Sequence, residues 1–101
     1  MGKSKFQENK DICYLCGRYA TDEHHIFNGA YRKRSDEDGM VVYLCRWCHD
    51  YLHKTPLQAK KLKSVAQIRW EEIYMKEHDC DITEARLSFL KRYGKNYGTD
   101  R

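Results

Sequence analysis

Four cysteines and four histidines crowd the first half of the chain. Cys13 and Cys16 stand in CYLC, Cys45 and Cys48 in CRWC, with 28 residues between the two C-x-x-C pairs. Such a pair folds as a tight turn that presents two sulfurs to one ion, and two pairs close a tetrahedral site. Zinc is the metal this set suits, with iron–sulfur chemistry less favoured by the spacing. Four thiolates leave no coordination position open, so the expected Zn2+ is structural and its binding contributes to folding. Cys80 lies outside the set and reads as a small buried or free thiol.

The histidines suggest a second cation. His24 and His25 are adjacent in EHHIF, His49 follows Cys48 directly, and His53 comes four residues later. On a helix, positions 49 and 53 share one face, which makes them a ready chelate. A four-cysteine clamp would draw the segment carrying His24 and His25 against that helix. His78 falls in an apparent linker.

These residues need a short frame to position them. Residues 1–11 are polar and expected to fray. ICYLCG reads as a metal knuckle closed by Gly17, residues 23–27 as a strand, and VVYLC (41–45) as a second strand. Between them NGAYRKRSDEDGM is expected to be a polar loop, so the strands pair as a hairpin. CRWCHDYLH runs from the second knuckle into a helix. Thr55-Pro56 starts another, with Leu57, Leu62, Val65, Ala66, Ile68 and Ile73 as its apolar stripe to about Glu77. HDCD (78–81) breaks it. A last helix is expected over Thr83–Tyr93, with Leu87, Leu90 and Tyr93 on one face and Gly94 as its C-terminal cap. Trp70 and the tyrosines are expected in the core or on half-buried surface, and Trp47 to pack rather than to stack on bases.

Composition bounds the class. The chain has 101 residues, 41% hydrophobic and 34% charged, which suits one small globular domain that benefits from a metal staple. The five cysteines are an odd number, which argues against a disulfide framework. No apolar run approaches the roughly 20 residues of a membrane span, and MGKSKFQENK lacks the apolar centre of a signal peptide. A cytoplasmic location is therefore expected, with no membrane partner. Net charge is +4, and residues 51–101 hold eleven basic against seven acidic side chains. That balance permits a polyanionic partner such as nucleic acid without requiring one.

The arrangement HH, loop, C-x-x-C-H-x3-H resembles the HNH endonuclease family. More narrowly, HHIFNGAYRKRSDEDGMVVYLCRWCH resembles small phage and prophage HNH proteins. The resemblance covers about residues 12–54. It implies a small α+β fold: a ββα-metal finger stapled by the four-cysteine zinc site, with residues 55–101 as a helical extension of one domain. It implies a catalytic divalent ion (Mg, Mn, Ni, Co or Zn) held by His24, His49 and His53, with His25 as general base for phosphodiester hydrolysis. An alternative alignment makes Glu23 the ligand and His24 the base. DNA is the substrate the resemblance favours, with Arg32 and Arg34 against its phosphates; the competing expectation for these arginines is a solvated loop balanced by Asp36, Glu37 and Asp38.

At the family's middle position, usually an Asn nine residues before the helix histidine, this chain carries Met40. Asn28 is the amide expected to hold the loop instead. The departure favours a rival expectation, a non-catalytic zinc module that binds nucleic acid or a protein. A third, a structural part of a phage packaging or recombination complex, implies a phage-encoded protein partner and no cleavage alone. The oligomeric state has no signature in the sequence.

Overall fold

The computed structural model describes residues 4–98. It is a small α+β structure: β1 (Asp22–His25), a 3-10 turn (Gly29–Tyr31), α1 (Arg32–Glu37), β2 (Val41–Leu44), α2 (Arg46–Lys54), α3 (Pro56–His78) and α4 (Ile82–Tyr93). The strands pair antiparallel, with His24 opposite Val42 and His25 opposite Val41. α2 packs on both strands, and α1 packs on β1.

The metal knuckle is a hairpin of its own. Ile12 bridges to Tyr19, the Cys13 N–H donates to the Arg18 carbonyl at 2.7 Å, and the Gly17 N–H to the Cys13 carbonyl at 2.9 Å. Gly17 takes φ +78° to close the turn, a conformation that costs glycine little. The hairpin docks on β2 through Tyr14 N–H to the Tyr43 carbonyl, 2.8 Å. The segment before it was expected to fray. Residues 1–3 lie outside the described residues, but from Ser4 on the chain is pinned. Ser4 Oγ donates to the Val41 carbonyl at 2.6 Å, and Tyr43 N–H donates to Gln7 Oε1 at 2.7 Å. Together these bonds satisfy the outer edge of β2 that a two-stranded sheet would leave bare.

The polar segment 28–40 is not a loop. It folds into the 3-10 turn and α1, ending at Gly39 with φ +73°. Its residues show no apolar periodicity because one small side chain, the fully buried Ser35, forms its inner anchor. Ser35 Oγ donates to the Met40 carbonyl at 2.6 Å and accepts from Phe27 N–H at 3.2 Å.

α2 starts where expected, with Cys45 as its cap: Cys45 Sγ accepts from Cys48 N–H at 3.4 Å. Pro56 opens α3, although the Thr55 side chain makes no capping bond. α3 ends at Asp79 in the left-handed conformation, φ 50°. Asp81 caps α4 by accepting from Glu84 N–H at 3.0 Å. Gly94 closes it at φ +77°, and a Cβ there would run into the Tyr31 hydroxyl.

The apolar faces of α3 and α4 follow expectation only in part. Leu62, Ala66 and Tyr93 are buried as expected, joined by Trp70, Ala85 and Phe89, whereas Leu57, Val65, Leu87 and Leu90 are exposed. The buried face of α3 also carries Gln67 and Glu71, both fully covered. Gln67 Nε2 donates to Glu71 Oε2 (2.9 Å) and Asn96 Oδ1 (3.0 Å), and Arg86 Nε donates to Glu71 Oε2 at 3.2 Å. A buried carboxylate is tolerated only when paired in this way. Phe27, just past β1, meets Tyr93 at 4.4 Å and Phe89 at 5.4 Å between ring centroids. The long helices thus share one core with the strands and hold the end of β1 in place. Among the described residues no helix is long and apolar enough to cross a membrane.

Candidate metal centre

The four thiols converge. The sulfurs of Cys13, Cys16, Cys45 and Cys48 all lie within 4.8 Å of one another. Cys16 and Cys45 are 3.7 Å apart, against a tetrahedron edge of about 3.8 Å for Zn–S bonds of about 2.3 Å. Burial pushes the Cys13 thiol up, but the backbone amides of Cys45, Cys16 and Leu15 outweigh it and bring its pKa down to about 6. Burial and the neighbouring thiols push Cys48 far up. One thiolate forms readily and a buried partner resists, the behaviour of crowded anions that a bound cation relieves. The four cysteines are positioned to hold a metal ion. Cys80 is not among them.

A second cluster joins β1 to α2. Nitrogens of His24, His49 and His53 lie within 4.8 Å of one another. His49 Nε2 and His53 Nε2 are 3.2 Å apart, which matches two ligands about 2.1 Å from one ion at an angle near 100°. Three ligands leave positions open for water or substrate oxygens. His24 is 8% exposed. Burial, then the charges of His49 and His53, lower its pKa to about 4, so near neutral pH it presents a lone pair.

The carboxylate behind this cluster was not foreseen. Asp22 precedes His24 by two residues and so shares its face of β1. His49 Nδ1–H donates to Asp22 Oδ2 at 2.9 Å, and Arg46 Nε stands 3.3 Å from the same oxygen. The His49 bond holds the Asp22 carboxyl below the usual range. With Nδ1 carrying the proton, Nε2 of His49 bears the lone pair that faces His53 Nε2, the arrangement that fixes metal-binding imidazoles.

His25 falls in neither cluster. It lies on the other face of β1, its side chain 10% exposed, with Nε2 3.5 Å from Glu23 Oε1 and 3.4 Å from Asp36 Oδ1. These distances are long for hydrogen bonds but within ion-pair range. Asp36 comes from α1, the element hidden in the supposed loop. Asn28 is exposed and makes no capping bond. The loop after β1 is tied instead by Ser35, which bridges Phe27 to Met40, and the Met40 side chain is fully buried.

The two arginines expected at phosphates differ. Arg32 is exposed. Arg34 donates from Nη1 to the Arg92 carbonyl at 2.6 Å and covers the Tyr31 ring at 5.8 Å. The acidic residues beside them do not balance the arginines as a solvated loop would. Asp38 and Glu37 pair with Arg92 at 2.6 and 3.2 Å, and Asp36 faces His25. Trp70 is buried as expected, but Trp47 is 71% exposed and does not pack in the core.

Comparison with protein-family models, curated proteins and solved structures finds no match to this chain.

Proposed function

We propose that the chain is a metal-dependent endonuclease of the HNH type, built on a ββα-metal core over residues 12–54 and stapled by a structural zinc on Cys13, Cys16, Cys45 and Cys48. The observation that carries the reading is the convergence of His24, from a strand, with His49 and His53, from a helix, next in sequence to a fourth histidine flanked by carboxylates. The sequence resemblance adds the reaction class and favours DNA; the basic charge fits any polyanion.

His24, His49 and His53 would hold the divalent ion. When bound, it supplies Lewis-acid stabilisation of charge on the scissile phosphate and the leaving oxygen. His25 accepts the proton of the attacking water. Its Nε2 faces Glu23 and Asp36, so Nδ1 is the nitrogen left to act as base. The two carboxylates stabilise the imidazolium that forms. Asp22 holds His49 in the tautomer a ligand requires.

The buried Met40 favours a second reading, a non-catalytic zinc module, because that position carries no loop-holding amide. Two variants separate the readings. The nuclease reading expects His53→Ala to lose the divalent ion and cleavage together. It expects His25→Ala to keep the ion, the zinc and the fold while losing cleavage. Cleavage unchanged in His25→Ala would refute the assignment of the base.

A further inference from the structure

The side of α2 turned away from the histidines carries two large rings that the centre does not use. At 3.6 residues per turn, Trp47 and Tyr51 lie about half a turn from His49 and His53. Trp47 is 71% exposed and Tyr51 40%. Their rings are parallel, 3° between planes, with centroids 6.0 Å apart. In a chain whose other tryptophan is 9% exposed, a solvated stacked pair has no role in the core.

Two cations and one carboxylate, Asp50, stand beside the pair. Trp47 and Arg18 line a cleft of about 210 Å3 above Cys16 and Cys45, and Lys54 closes α2 on the side of the rings. Neither the Arg18 guanidinium nor the Lys54 ammonium forms an ion pair among the described residues. Asp50 is the single acidic residue of α2. Exposed aromatic faces flanked by cations suit the bases and backbone of a single strand, since every base has a π face and stacking is tolerant of sequence. A duplex hides those faces.

We propose that Trp47 and Tyr51, with Arg18 and Lys54, form a stacking platform for single-stranded nucleic acid on the face of α2 opposite the histidines. The platform goes beyond the nuclease reading and is independent of it.

Trp47 is its own reporter, because Trp70 is shielded. The zinc-loaded 101-residue chain is titrated with a short oligothymidylate while tryptophan emission is followed. The expected result is saturable quenching that weakens with salt. Trp47→Ala and Tyr51→Ala should each weaken binding about tenfold by anisotropy of a labelled strand, with zinc content unchanged. Arg18→Gln should reduce the salt dependence, and a duplex of the same length should bind more weakly. Unchanged affinity in Trp47→Ala overturns the platform. So does an absence of quenching, including the case where Trp47 is covered in a concentration-dependent dimer. Saturable quenching by wild-type protein that holds its zinc and binds a second ion yet cuts no plasmid DNA would keep the platform and sink the nuclease reading alone.

Discussion

Replacing Asp22 by Asn removes the negative charge that holds His49. The wild-type bond, Nδ1 to Oδ2 at 2.9 Å, is charge-assisted, and the Asp22 side chain is only 15% exposed. Losing the carboxylate behind a metal-binding histidine typically weakens the metal about ten- to hundredfold. Asn keeps a carbonyl oxygen that can still accept from Nδ1, and Arg46 already shares the wild-type oxygen at 3.3 Å. Both features place Asp22→Asn near the low end, about tenfold. Asp22→Ala leaves Nδ1 and Arg46 without a partner and belongs near the high end. Isothermal titration of Mn2+ or Ni2+ into the zinc-loaded protein reads the change directly. Zinc content should not move, because Asp22 does not belong to the cysteine cluster. An Asp22→Asn affinity within twofold of wild type would refute the argument that this carboxylate orients a metal ligand.

Other perturbations follow from the same structure. Cys48→Ser, or a strong chelator, should remove the proposed structural zinc and the cooperative unfolding transition together, read by a colorimetric zinc assay alongside circular dichroism; a variant that unfolds like wild type without zinc would contradict a structural role. His24 takes up its proton at about 4 in the folded chain against 6.5 otherwise. The unfolded chain therefore binds more protons between those values, and stability present above pH 6.5 is lost as pH falls toward about 4. The full window amounts to roughly 3 kcal/mol. In protein with its histidine site free of metal, urea unfolding between these pH values should be flatter for His24→Gln than for wild type, and equal slopes would count against it. Arg86→Met strips the guanidinium from the fully buried Glu71. The usual cost of such a change is about 3–5 kcal/mol. Arg86 is 37% exposed and Gln67 still donates to Glu71, so a loss of about 2–3 kcal/mol is expected by urea denaturation; a loss under about 0.5 kcal/mol would show that water replaces the pair.

The parts of the structure with strong local chemistry were legible in the sequence. Two C-x-x-C pairs, an i, i+4 histidine pair and a β-branched run announced the knuckles, α2 and β2, and the approach of the His24-His25 segment to α2; that His24 joins His49 and His53 was implied only by the family resemblance. α1 was not legible, because its inward residue is Ser35 and a lone serine gives no periodic signal. Asp36 was therefore lost among charges thought to be solvated. Asp22 was missed although the signal was present: it stands two residues before His24, on the same face of β1. The buried faces of α3 and α4 were legible only in part: Leu62, Ala66 and Tyr93 are buried, but hydrophobicity alone does not place Gln67 and Glu71 inside or Leu57, Val65, Leu87 and Leu90 outside. Gln67 and Glu71 are covered since partners across the helix pair satisfy them, while Leu87 and Leu90 face solvent. Trp47 shows the converse, an apolar side chain that no packing demands.

The most direct test of the central claim is cleavage of supercoiled plasmid DNA by the purified chain, with Mg2+, Mn2+, Ni2+, Co2+ or Zn2+ added in turn and His25→Ala run beside it. Nicking or linearisation by wild type with at least one metal, and none by His25→Ala, is the predicted result. No cleavage with any metal, by protein that holds its zinc and binds a second ion at the three histidines, would contradict the nuclease account.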